Sequence, residues 1–124
     1  MIDFKNAEYL KLAPIDARKA ARSVDDILVR GEEVAAAFRS VRDTVIFTNK
    51  RAIAINVQGV TGSKADMTSL PYSKVQAFSV ETPGVVDLDC ELQLWFSTLG
   101  LVRFEFTRSA DLHLIGRLIG EAVL

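Results

Sequence analysis

The sequence predicts a mainly β domain of the α+β class, a barrel or bent sheet sealed by a helix and preceded by another. Three observations predict it. From Val34 to Thr107 apolar residues recur at a period of two, which places them on one face of a strand. On either side of that block the period lengthens to three and four, as an amphipathic helix requires. Gly59, Gly62, Pro83-Gly84 and Leu99-Gly100 cut the block into separate strands.

The amino-terminal helix is expected around residues 14–29. Pro14 suits a first helical turn, where its missing N–H has no partner to lose. Ala17, Ala20, Ala21, Val24, Ile27 and Leu28 then make one apolar stripe, with Arg18, Lys19, Arg22, Asp25 and Asp26 on the remaining surface. Gly31 stands where a left-handed cap would end the helix. Residues 1–12 read as loop with a short helical or extended piece.

Val34, Ala36 and Phe38 open the strand block. Val45 and Phe47 share one face of the next strand, and Ile46 and Thr48 share the other. Asn49-Lys50 makes a two-residue hairpin turn. Beyond it Ile53, Ile55 and Val57 oppose Ala52, Ala54 and Asn56. Gly59 and Gly62 mark a loop before Leu70-Pro71-Tyr72. A strand follows from Lys74 to Glu81, with Val75, Ala77 and Ser79 facing away from Gln76, Phe78 and Val80. Leu88, Cys90, Leu92, Leu94 and Phe96 then oppose Asp87, Asp89, Glu91, Gln93 and Trp95. Val102, Phe104 and Phe106 line the last strand. Ser109 is placed to cap a final helix, with Asp111 near its positive end and Leu112, Ile115, Ile119 and Ala122 as its buried stripe.

Composition sets the bounds on function. The chain has 124 residues, enough for one domain, with 49% hydrophobic and 25% charged side chains. Its net charge is -1, without the basic excess of a nucleic-acid binder, and the same balance disfavours anionic membranes unless the bases gather on one face. A single cysteine forms no internal disulfide. Acids stand where a signal peptide needs bases, and no stretch approaches the roughly 18 apolar residues of a membrane span. The cytoplasm is the expected location.

The order of five segments resembles the bacterial pleckstrin-homology (PH-like) family: Phe47-Thr48-Asn49-Lys50-Arg51, Gly59-Val60-Thr61-Gly62-Ser63-Lys64, Leu70-Pro71-Tyr72, Phe78-Ser79-Val80-Glu81-Thr82 and Asp87-Leu88-Asp89-Cys90-Glu91-Leu92. The resemblance spans residues 31–124, leaving 1–30 as an amino-terminal helical extension. It implies a partly open barrel of about seven antiparallel strands with a carboxy-terminal helix. It also implies a family whose members look like self-assembling ring- or dome-shaped oligomers. PH-like folds host many functions, so the fold alone assigns none.

Catalysis is not expected. The sole histidine, His113, stands beside the buried stripe of the last helix, and Cys90 points with Leu88 and Leu92 as a small core hydrophobe. No Cys/His cluster has metal-ligand spacing, and no cofactor or metal is implied. Gly59-Val60-Thr61-Gly62-Ser63-Lys64 departs from the Walker phosphate loop in both spacing and following pattern. Gly116 and Gly120 let the last helix approach the sheet or a neighbouring subunit closely.

The expected function is therefore a non-catalytic interaction module that self-associates, as a ring by the resemblance, and gathers a protein or peptide partner. Its interface would join Asp87, Asp89, Glu91 and Trp95 of one copy to Lys50 and Arg51, or Lys64, of another. The alternative is a monomeric binder of anionic lipid headgroups or small anions through Lys50, Arg51 and Lys64. Against it, the first inter-strand loop, Ser40-Val41-Arg42-Asp43, holds one base beside one acid, whereas phosphoinositide-binding PH domains carry a basic cluster there.

Overall fold

The structure, a computed structural model, describes residues 7–41, 43–58, 64–107 and 110–124; the loop glycines Gly59 and Gly62, Arg42 and Ser109 lie outside these. Its strands are β1 (Glu8–Pro14), β2 (Val34–Arg39), β3 (Asp43–Thr48), β4 (Arg51–Gln58), β5 (Lys64–Pro71), β6 (Val75–Glu81), β7 (Cys90–Phe96) and β8 (Gly100–Phe106). Helix α1 covers Ala17–Arg22 and α2 covers Leu112–Val123. The strands form one bent sheet in the order β5-β4-β3-β2-β1-β8-β7-β6, a half-barrel whose open edges are β5 and β6.

Among the described residues the sheet has eight strands where about seven were expected, and two of them carry no clean alternation. β1 pairs antiparallel with β2 and parallel with β8, joining the two halves of the sheet. The sheet thus begins well before residue 31, and Pro14 ends a strand instead of opening a helix. Lys11, at φ 55°, sits in the irregularity that divides β1 between Tyr9 and Leu12. β5 pairs with β4 over eight residues, from Arg51↔Pro71 to Gln58↔Lys64, where only a loop was expected. In β6 a bulge between Val75 and Ala77 reverses the alternation, so Phe78 and Val80 turn toward the core and Ala77 turns outward.

Two cores result. The concave face buries Leu12, Val45, Phe47, Leu92, Leu94, Val102, Phe104 and Phe106 completely. Phe38, Phe47, Phe104 and Phe106 meet there edge-on or tilted at centroid separations of 4.7–6.1 Å. Leu112, Ile115 and Ile119 of α2 close the barrel's end. Asp111 caps that helix, its Oδ1 accepting the Leu114 N–H at 3.2 Å. A Cβ placed on Gly116 would stand 3.2 Å from Cγ2 of Val80, so the missing side chain lets α2 lie close against β6.

The second core lies on the convex face. β4 is apolar on both sides: Ala52 and Ala54 point into the barrel, and Ile53 and Ile55 point out. With Ile46 and Ala37 these isoleucines are covered by Ala20 and Val24, and α1 packs across the outside of its own sheet. The helix is only six residues long, capped by Asp16 and ended at Ser23, with a 3₁₀ turn at Asp25–Ile27. Gly31, at φ 78°, serves the Val29–Glu32 turn, where the Glu32 N–H donates to the Val29 carbonyl.

Candidate functional site

The Asn49-Lys50 hairpin tip is bolted to the turn after α1. Thr48 Oγ1 accepts the N–H groups of Lys50 and Arg51, each at 3.0 Å, and donates to Glu32 Oε2 at 2.7 Å. Asn49 reaches the same turn, accepting from Glu33 N–H and donating to the Gly31 carbonyl. Arg51 meets Glu32 through Nε at 2.8 Å and Nη2 at 2.9 Å, and also donates to the Ile27 carbonyl and Ser69 Oγ. Burial works against the charged Glu32 carboxylate. The bonds from Arg51, Thr48 and Val29 N–H outweigh it and hold the carboxyl below the usual range.

Arg51 is therefore spent within the chain. Lys50 stays exposed beside an open depression of about 520 Å³ that Ser69 and Ser73 also line. Lys64 opens β5 at the far end of its pairing with β4, roughly 23 Å along the strands from Arg51. The three bases of the anion reading do not converge.

The acids separate as well. β7 begins at Cys90, so Asp87 and Asp89 belong to the β6–β7 turn and only Glu91 stands on the strand. Leu88, expected in the core, is 39% exposed. Glu91 is consumed by Arg103, which donates to both its carboxylate oxygens and to Glu8 Oε2 at 2.8 Å. Those bonds, with burial opposing and Gln93 assisting, hold the Glu91 carboxyl below its usual range. The turn is ordered by Asp89 N–H donating to Asp87 Oδ1 at 3.1 Å and Gly84 N–H to the Asp87 carbonyl at 2.7 Å.

Trp95 is 46% exposed in the cross-strand row Ala77–Trp95–Leu101 on the convex face of β6–β8. Helix α2 meets β6 and β7 from the concave side, whereas α1 packs on the convex side of β2 and β3. Around α1 lies a second set of charges, which the sequence pattern alone places on the helix surface. Arg18, Lys19, Arg22 and Arg39 are exposed and form no ion pair among the described residues. The signal was present, since three bases fall within five residues of one short helix. Cys90 is buried, and burial with the nearby Asp89 charge pushes its thiol up, away from nucleophilic use. His113 is exposed on α2.

The family follows from comparison with known proteins. The model of the bacterial PH domain family matches residues 3–123. The chain belongs to the bacterial PH domain family. This bacterial PH domain is 40% identical over 121 residues to the uncharacterized protein YjqA of Bacillus subtilis, covering 96% of this chain and 93% of that one. A DUF1696-family protein with a pleckstrin-homology domain from Shewanella loihica superposes with a TM-score of 0.76 at 36% identity, over 93% of this chain and 99% of that chain. The pleckstrin homology domain from Shewanella amazonensis gives 0.63 at 40% identity, over 89% and 90%. The family match takes in β1 and α1, and no helix among the described residues is long and apolar enough to cross a membrane.

Proposed function

We propose that this bacterial PH domain is a non-catalytic interaction module that self-associates and presents repeated sites to a protein or peptide partner. The observation that carries the reading is the asymmetry of the convex surface. One half is sealed in cis by α1, and the other leaves a large aromatic ring half in solvent. Tryptophan is enriched at interface cores, where its area is worth most. At the other end of β6 and β7 from Trp95, the same half finishes in an apolar, acidic turn. Contact between unlike surfaces of successive copies closes a ring when the rotation permits, and a ring multiplies weak partner sites. Buried Cys90 and solvated His113 support the non-catalytic part.

Light scattering on a sizing column tests the reading at low and high salt. A discrete multiple of 13.7 kDa is the expected result, and a monomer at both salts overturns it.

A further inference from the structure

We propose that the β6–β7 turn of one copy docks into the groove beside α1 of another. The inference rests on the self-association reading and names the two surfaces that meet. Each is unusual alone. Val85 and Val86 are 97% and 95% exposed at the crest of a turn fixed by its own hydrogen bonds. Adjacent valines held out in water gain nothing there, whereas covering their methyl groups is favourable. Glu81, Asp87 and Asp89 flank them in the chain, and none forms an ion pair among the described residues.

The groove is the chemical complement. It is an open cleft of about 340 Å³ where α1 crosses the outer ends of β2–β4. Ile15, Ala20 and Ile55 supply an apolar lining, and Lys19 and Arg39, both exposed, line it as well. Arg18 and Arg22 add positive charge along the helix, with Asp25 and Asp26 following it in the 3₁₀ turn, and among the described residues lining the cleft Asp16 is the one acid. Valine methyls on the apolar lining would bring Asp87 and Asp89 to Lys19 and Arg39. Within one copy the valines remain in solvent, so the groove is not filled by its own turn. The contact joins unlike surfaces, leaving a free turn and a free groove until the series of copies closes. Opposite charge on the two sides sets register and makes the association salt-sensitive.

The test is solution mass by light scattering, with far-UV circular dichroism confirming the fold of each variant. K19E/R39E and D87K/D89K should each weaken association by at least about tenfold. V85S/V86S should do the same without altering charge. The chain carrying all four charge reversals should recover the wild-type mass, a rescue that general surface damage does not produce. Unchanged mass in both charge-reversed pairs overturns the proposed contact and leaves self-association standing, as does loss in both without rescue. A wild-type monomer at every concentration overturns self-association and the docking together.

Discussion

Glu32 Oε2 lies 2.8 Å from Arg51 Nε, and this pair ties the turn that follows α1 to the first residue of β4. The Glu32 side chain is fully buried and that of Arg51 is 17% exposed, so loss of either charge strands the other. Glu32→Gln should cost about 3 kcal/mol in urea unfolding at neutral pH. Lys50→Ala, one residue from Arg51 but in solvent, should change stability by no more than about 0.5 kcal/mol. Equal effects of the two substitutions would contradict the latch.

The same carboxyl predicts a pH dependence. Its folded pKa lies below the ordinary value of 4.5, so its contribution is fully present above that value. The contribution is lost as pH falls through the folded pKa. Wild-type stability should decline on acidification below about 4.5, and Glu32→Gln should show a shallower decline. Glu91, lowered by Arg103, acts with the same sign and keeps the variant's slope above zero. Unfolding midpoints at a series of pH values measure both slopes.

The convex core makes α1 part of the cooperative unit. Ile53 is fully buried outside the barrel, beneath that helix. Ile53→Ala should cost about 3 kcal/mol, as a barrel-lining truncation would. An α1 that rode loosely on the sheet would leave the unfolding midpoint unmoved and change only the protease susceptibility of residues 15–28.

Two glycines of α2 should answer differently to alanine. Gly120 has only ordinary contact distances around a new Cβ, 3.9 Å to Leu124 and Phe78, so the gain in helix propensity dominates. Gly120→Ala should stabilise by about 0.8 kcal/mol. At Gly116 the Cβ meets Val80 at 3.2 Å, and β-branched valine has little rotamer freedom to yield. Gly116→Ala should gain less or lose, and Val80→Ala in the same chain should restore the difference. A double-mutant cycle on chemical unfolding reads that coupling.

What the sequence displayed follows from local physics. The inward rows Leu92-Leu94-Phe96 and Val102-Phe104-Phe106 were legible because strands with one wet face alternate strictly, and the hairpin because the polar pair Asn49-Lys50 separates two apolar runs. β5 was hidden because it is an edge: Lys64, Ala65, Asp66, Met67, Thr68 and Ser69 precede Leu70, its one fully buried residue. β1 was hidden by its irregularity at Lys11, and the facing of β6 by a one-residue bulge.

The site residues were less legible, because charge is settled by neighbours distant in sequence. Arg51 finds Glu32 nineteen residues away, and Arg103 finds Glu91 at a separation of twelve and Glu8 at ninety-five. Residue spacing alone kept Arg51 and Glu91 among the free charges. Their internal pairing leaves Lys50, Asp87, Asp89 and Trp95 available on the surface, together with the bases of α1.

Trp95 is the chain's one tryptophan, so its fluorescence reports on a single place. At 46% exposure in the isolated chain the ring should emit to the red and be quenched readily by iodide. If the uncovered β6–β8 face takes part in self-association, raising the concentration should shift emission to the blue. Quenching should then fall over the same concentrations at which the mass rises. Trp95→Ala should raise the dissociation constant roughly 30-fold, the scale of a central aromatic anchor. A mass that rises while emission and quenching stay constant would exclude Trp95 from the contact and confine self-association to surfaces such as the α1 groove.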